Sequence, residues 1–338
     1  MRRPRYSGTH PRQFAHKYKE LNPEQYPDDV AKVQGRGQTP AGSHRPILLT
    51  EILERLHPSP GETGLDCTLG WGGHSAELLK AVQPTGLLVA TDIDPHELPK
   101  AEARLKALGF PESTLAVRRQ SFSRLLELLP LTRGGFDFVL ADLGISSMQI
   151  DNPERGFTFK ATGPLDLRLD PEQGQSAAEF LLTVTQAELE RLLTSHADEP
   201  QAARIAGALC ARRGAVRTTT DLVNIVRKAV SGRVSNDEAL NKTFQRTFQA
   251  LRIAVNDEFA SLDALLLALP RALTPGGRVA VLTFHSGEET RVRAAFRRGK
   301  DVGDYAEISD EPLRPSAQEK YDNPRSKAAR LHWARFKG

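Results

Sequence analysis

Two stretches, Leu87-Leu88-Val89-Ala90-Thr91-Asp92 and Phe136-Asp137-Phe138-Val139-Leu140-Ala141-Asp142, leave this chain few folds to choose from. Each is a short, largely apolar run that ends in an aspartate. A run of this kind is buried on both faces, and such strands belong to a parallel sheet covered by helices. Thr63-Gly64-Leu65-Asp66 and Thr114-Leu115-Ala116-Val117 are weaker versions, the second followed by Gln120-Ser121-Phe122. Between them, apolar residues recur at helical spacing: Ile47, Leu48, Ile52, Leu53 and Leu56, then Ala76, Leu78, Leu79 and Val82, then Leu98, Ala101, Leu105 and Leu108. Strand and helix alternate, which predicts an α/β fold with a Rossmann-like, doubly wound sheet.

The alternation then stops. From Asn152 to about Lys242 helical signals run together, around Ala177–Leu193, Ala202–Arg212 and Asp221–Val230, with no strand between them. An amphipathic helix is predicted at Phe248–Leu269, with Leu251, Val255, Phe259, Leu262, Leu266 and Leu269 on one face. Pro275-Gly276-Gly277 turns the chain into a fifth strand, Arg278–Phe284, which ends in His285-Ser286. The expectation is an all-helical domain, residues 152–245, inserted into one α/β domain made of residues 44–151 and 246–338. Residues 1–43 are rich in Pro, Gly, Gln and charge, lack a hydrophobic period, and read as a flexible basic extension.

The turn after the first strand, Asp66-Cys67-Thr68-Leu69-Gly70-Trp71-Gly72-Gly73-His74, lets backbone approach a nucleotide-like ligand closely. A dinucleotide fingerprint needs Gly-x-Gly-x-x-Gly, and here Ser75 stands in place of the third glycine. No Gly-Lys-Ser/Thr follows, so the turn is not a phosphate cradle. The nucleotide-like cofactor that remains, without a pyrophosphate, is S-adenosylmethionine. Asp92 follows Gly72 by the interval at which an acid meets ribose hydroxyls, Phe122 offers an apolar wall for a base, and Gly72-Gly73 offer close backbone. The weaker alternative is that Asp92 merely caps the next helix, since Asp94-Pro95 is a good helix start.

Charge points to the partner. Residues 1–43 carry eight Lys/Arg against four acids, which accounts for the whole formal charge of +4. Residues 204–233 add Arg204, Arg212, Arg213, Arg217, Arg227, Lys228 and Arg233 with only Asp221 opposing. Two basic patches on a neutral body favour a polyanion, nucleic acid, over plain solvated charge. The longest apolar run, Leu265–Leu269, is too short to cross a membrane, and the basic N-terminus lacks the apolar core of a secretory signal. Cys67 and Cys210 have no partner spacing, which fits a reducing, cytoplasmic compartment and argues against a cysteine metal site. No metal is expected.

Methyl transfer from a sulfonium needs an unprotonated nucleophile held in line. Attack through a pyrimidine carbon would use a cysteine, usually after proline, and neither cysteine here follows one. An amine or hydroxyl acceptor needs only positioning and a proton acceptor. Asp142-Leu143-Gly144-Ile145-Ser146-Ser147, at the fourth strand's end, is the place for both, although it is not the Asp/Asn-Pro-Pro-aromatic turn of many amine methyltransferases. The residues alone leave the acceptor atom open.

The sequence resembles the MraW/RsmH family. The likeness rests on HRPILLTEIL (44–53), DCTLGWGGHS (66–75), DIDP (92–95), DLGISSMQIDNPERGFTF (142–159), GPLDLRLDPEQGQSAAEFL (163–181), RTFQALRIAVNDE (246–258), PGGRVAVLTFHS (275–286) and NPRSKAARL (323–331). The resemblance implies a class I S-adenosylmethionine-dependent methyltransferase with a helical insert. It implies action on the 4-amino group of a cytosine in the decoding region of 16S rRNA, with the small ribosomal subunit as partner. It further implies cofactor contacts from Gly72, Gly73, His74, Asp92, Phe122, Asp142 and Gln149. Asp142, with Ser146 or Ser147 orienting the amine, is the expected catalytic group. Arg155, Asp166, Arg168, Arg252, Asn256 and His285 are candidates for RNA contact, or equally for salt bridges that tie insert to core. Asp166-Leu167-Arg168-Leu169-Asp170 stands where the family has Asp-Met-Arg-Met-Asp, and Gly287-Glu288-Glu289-Thr290 where it has Leu-Glu-Asp-Arg. The stretch before Asn323 is short, and residues 1–43 are read as an addition to the family pattern. Two other functions use the same fold: a nicotinamide-dependent oxidoreductase, disfavoured by Ser75, and a non-catalytic RNA-binding assembly factor that keeps the pocket.

Overall fold

A computed structural model describes residues 46–338. The expectation for residues 1–43 lies outside the described residues. Seven strands form one sheet: β1 (Thr63–Asp66), β2 (Leu87–Asp92), β3 (Leu115–Arg119), β4 (Phe136–Asp142), β5 (Leu273–Thr283), β6 (Tyr305–Ile308) and β7 (Arg330–Phe336). Their order is β3-β2-β1-β4-β5-β7-β6. The pairs among β1 to β5 are parallel, and β7 runs antiparallel to both β5 and β6. The arrangement is that of a class I methyltransferase sheet. Sequence pattern marks five of these strands; β6 and β7 escape it because an antiparallel pair at the sheet's end is short and mixed in polarity.

The two faces of the sheet are covered separately, because successive residues of a strand point to opposite sides. Leu88, Ala90, Phe138, Leu140, Ala280 and Leu282 pack with α1 (Leu49–Leu56), α2 (Gly73–Val82) and α3 (Leu98–Lys106). Leu65, Val89, Val139 and Val281 face the other way, onto the 3-10 segment Phe122–Leu131. After β4 the chain makes the short α4 (Ser147–Asp151) and then a helical region: α5 (Ala177–Thr183), α6 (Gln186–Ala197), α7 (Ala202–Cys210), α8 (Thr219–Ala229) and α9 (Asp237–Asn256). These helices share an apolar core of their own, with Leu181, Leu193, Ile205, Leu222, Phe244 and Leu251 among its members.

The helix expected at Phe248–Leu269 is two helices. α9 ends at Asn256, Asp257 takes the left-handed φ of 51°, and α10 (Glu258–Ala272) begins. Aspartate tolerates that conformation better than most side chains. The single apolar face is therefore divided: Leu251 belongs to the helical core, while Leu262, Leu266 and Leu269 belong to the sheet. The boundary expected between residues 245 and 246 falls within α9. After β5 come α11 (Ser286–Val302), β6, α12 (Ala317–Asp322), a 3-10 turn at Pro324–Ala328, and β7. Among the described residues no helix is long and apolar enough to cross a membrane.

Candidate active site

In a doubly wound sheet the winding reverses beside its first strand and opens a crevice at the strands' carboxyl ends. Here a cleft of about 1060 Å³ opens at that edge. Register decides which strand-end aspartates reach it. Asp66 pairs with Ala90 of β2 and Leu140 of β4, so Asp92 and Asp142 each stand two residues nearer the edge. Asp92 and Asp142 line the cleft; Asp66 is buried beneath it.

Asp66 fixes the base of the glycine turn. Ser75 Oγ donates to its Oδ2 at 2.6 Å and the Thr68 N–H to its Oδ1 at 3.0 Å, while burial pushes the carboxyl up from its usual range. Ser75 thus has a use at the place where a dinucleotide turn needs glycine. Gly72 has φ of 87°, and its carbonyl accepts the Ala76 N–H at 2.9 Å. It faces Leu105 and does not line the cleft; Gly73 and His74, on the first turn of α2, do. Their amides are among the N–H groups that a helix start leaves without helical acceptors.

Asp92 is pinned by backbone. Its Oδ2 accepts the Gly70 N–H at 2.7 Å and its Oδ1 the Asp94 N–H at 2.9 Å, and burial pushes its pKa up. Each oxygen keeps a lone pair, so the carboxylate can still accept two vicinal hydroxyls. Capping of the next helical segment falls to Asp94, which accepts the His96 and Glu97 N–H groups at 2.8 and 3.3 Å.

His74 links the cofactor side to the expected catalytic group. Nε2 donates to the Ile47 carbonyl at 3.0 Å, and Nδ1 lies 3.4 Å from Asp142 Oδ2. With one ring N–H committed, the other nitrogen faces a carboxylate favourably only when it also carries a proton. Burial lowers the His74 pKa, but the hydrogen bond and charge of Asp142 outweigh it and the net shift is upward. The Asp142 N–H donates to Thr68 Oγ1 at 2.7 Å. Phe122 and Gln149 also line the cleft, as does Cys67, whose buried thiol is pushed well up from its usual range and is a poor nucleophile.

Gln149 and Ser146 are largely spent on local structure. Ser146 Oγ accepts the Gln149 N–H at 3.2 Å and Gln149 Oε1 accepts the Ser146 N–H at 2.8 Å, a capping box at the start of α4. Gln149 Nε2 donates to Asp94 Oδ2 at 2.8 Å. Arg155 Nη1 donates to the same oxygen at 2.7 Å, and Arg155 Nη2 to the carbonyls of Arg168 and Leu169 at 3.0 and 2.8 Å. Burial acts to raise the Asp94 pKa, but Arg155 and Gln149 outweigh it and hold the carboxyl below its usual range. Asp94 is a site residue that sequence reasoning misses, although Asp92-Ile93-Asp94-Pro95 marks it as a turn residue.

The RNA candidates divide. Arg252, Asn256 and His285 line the cleft, whereas Arg155 and Arg168 do not. Arg168 forks onto Asp166 through Nε and Nη2 at 2.9 and 2.7 Å. Arg252 forks onto Glu258 at 2.7 and 2.8 Å, across the junction of α9 and α10. Asn256 accepts the Leu169 N–H at 2.6 Å and donates to the Leu167 carbonyl at 2.7 Å. Those bonds help hold Leu167 at φ of 64°, a conformation uncommon outside glycine. His285 lies 3.2 Å from Glu288, whose pKa burial would raise but His285, the Phe284 N–H and Arg252 bring down. Gly287 leaves room for Phe259, whose ring would collide with any Cβ there, and the Arg291 guanidinium lies 3.8 Å over that ring. Trp71, at the cleft wall, carries the Arg104 guanidinium 3.1 Å over its ring.

A family model described as the MraW methylase family matches residues 41–337. The ribosomal RNA small subunit methyltransferase H 1 of Lachnoclostridium phytofermentans is 48% identical, covering 98% of this chain and 92% of that relative. The methyltransferase H 2 of Alkaliphilus metalliredigens is 49% identical, over 98% and 97% of the two chains. The H 1 protein of Agathobacter rectalis is 47% identical over the same shares. The family model begins at residue 41, so the basic segment stands almost wholly outside the family pattern, although these three relatives match over 98% of this chain and share most of it.

Proposed function

The chain belongs to the MraW methylase family, and from that premise we propose which atom it methylates and which side chains serve the transfer. It is an S-adenosylmethionine-dependent methyltransferase of small-subunit ribosomal RNA. The acceptor is the exocyclic 4-amino group of a cytosine in the decoding region of 16S rRNA, and the enzyme acts in the cytoplasm on the small subunit. Membership in the family sets aside the nicotinamide-dependent oxidoreductase.

The observation that carries the reading is the placement of Asp92, His74 and Asp142 around one cleft, with the two aspartates on strands that flank β1. Bound S-adenosylmethionine supplies a methyl group on a sulfonium. Asp92 would accept the ribose hydroxyls, Phe122 would wall the adenine, and the first-turn amides at Gly73 and His74 would meet the amino-acid carboxylate. The same amides and carboxylate fit that ligand without a pyrophosphate site. Gln149 and Gly72 then act by shaping the site. Asp142, oriented by His74, accepts a hydrogen bond from the cytosine amine and so aims its nitrogen at the methyl group. Asp142 would also take the proton that the nitrogen sheds once it has been methylated, and because that proton is then acidic a strong base is not required. The helical region 152–245, through its basic surface, takes the RNA.

Incubation with labelled S-adenosylmethionine and either small subunits or naked 16S rRNA, followed by nuclease digestion and mass mapping, tests this. N4-methylcytidine is the expected product. A methyl group on another atom overturns the acceptor, and none on any substrate leaves the non-catalytic assembly factor as the reading.

A further inference from the structure

The segment between β6 and β7 has no part in the chemistry above, yet it supplies a wall of the cleft. Asn323 and Arg325 line the same space as Asp142 and His74. Asn323 is buried, and its Oδ1 accepts the Arg325 N–H at 3.3 Å, which starts the 3-10 turn and sets the direction of the arginine. Arg325 Nη2 donates to Asp151 Oδ1 at 3.0 Å, at the far end of the helix that begins beside Ser146. The guanidinium is thereby fixed to the acceptor loop.

Two further features point to a ligand. Arg325 keeps a third of its side chain exposed and, among the described residues, meets a carboxylate through Nη2 alone, whereas Arg119, Arg252 and Arg278 each meet carboxylate oxygens through two nitrogens or two acids. Tyr321, two residues before Asn323, is 82% exposed, the most exposed large apolar side chain among the described residues. Lys327, two residues after Arg325, is also exposed. An open aromatic ring four residues before a cleft-lining arginine, with an exposed lysine two residues after that arginine, suits single-stranded nucleic acid, where bases stack on rings and phosphates meet guanidinium. The segment is not loose: Glu319 Oε1 accepts the Leu48 N–H at 2.8 Å, which ties α12 to the start of α1.

We infer that residues 321–327 form a bank of the cleft that grips the single strand flanking the target nucleotide, with Arg325 on a phosphate and Tyr321 stacked on a neighbouring base. The inference rests on the ribosomal RNA reading above. It is tested in the full chain with a 16S rRNA transcript, by measuring RNA affinity against salt, S-adenosylhomocysteine affinity and methyl transfer for wild type, Arg325→Gln, Arg325→Lys and Tyr321→Ala. Arg325→Gln should reduce the slope of log affinity against log salt by about 0.7, the value for one single-strand phosphate, and raise KM with little change in kcat. Arg325→Lys, which keeps the charge, should restore the slope. Tyr321→Ala should weaken RNA binding about fivefold or more at every salt concentration, with its slope unchanged. S-adenosylhomocysteine affinity should stay at the wild-type value throughout.

Wild-type RNA affinity and slope in both Arg325→Gln and Tyr321→Ala overturn the inference. So does a parallel loss of S-adenosylhomocysteine affinity, which would put the segment on the cofactor side. Failure of the wild type to methylate RNA would instead bring down the function proposed above, so the two failures are distinguishable.

Discussion

His74 shows how much a single side chain can carry. Its Nε2 is tied to Ile47 and its Nδ1 faces Asp142, so the protonated ring is the form that satisfies both neighbours. The folded-state pKa is raised from the usual 6.5. A raised pKa stabilises the fold fully below the unfolded value, and the contribution is lost as pH rises through the folded one. Wild type should therefore exceed His74→Asn in urea midpoint most clearly below pH 6.5, and the gap should narrow at alkaline pH. A gap independent of pH between about 5.5 and 9 would show that the ring is neutral in the fold. At this scale the sequence is partly readable. Asp92, Asp142 and His74 stand out because they fall at the strand ends and the glycine turn where ligands bind. Asp66 closes a strand in the same way, however, and only the register shows that its role is structural. Asp94 and Thr68 do not stand out, since only their partners 55 residues on, at Gln149, and 74 residues on, at Asp142, give them meaning.

Between elements, one buried tie is built from Asp94, Gln149 and Arg155. It joins the end of β2 to α4 and to the loop at residues 167–169, and so fixes the acceptor loop against the cofactor strand. Removing one partner of a buried ion pair leaves the other charged and uncompensated, at a cost of about 3–5 kcal/mol. Arg155→Ala should lose roughly that much stability in urea unfolding, with near-normal RNA affinity per folded molecule. A loss under about 1 kcal/mol would place the tie elsewhere. Periodicity reports the helices of this region but not their breaks: Asp257 interrupts a pattern that reads as continuous, because two different cores happen to demand apolar residues at compatible spacing. The β6–β7 pair is hidden for the opposite reason, its apolar positions being too few to outweigh Arg330, His332 and Arg335.

For the molecule as a whole, charge is the quantity to test. The positive balance of the sequence lies in residues 1–43, which precede the cleft-lining Pro46 and Ile47. Deleting them should weaken RNA binding and lower its salt slope by about 0.7 for each phosphate that they neutralise. A slope equal to that of the full chain would show that they touch no phosphate. The sheet is legible because burial on both faces leaves a plain mark on composition, and the site because it lies where the winding reverses. The bank at residues 321–327 is not, since its importance comes from a fold that returns the C-terminal segment to the first helix.

The junction of α9 and α10 has a mechanical side. A helix of 20 residues is about 30 Å long, so a turn of about 10° at Asp257 carries its far end through about 5 Å. That end follows the loop that carries Arg233, which in turn follows Arg227 and Lys228 of α8, while the near end lines the cleft. The Arg252–Glu258 fork bridges the fulcrum. The helix sets the distance between the basic tip and the cleft, and the fork fixes the angle at which the two are held.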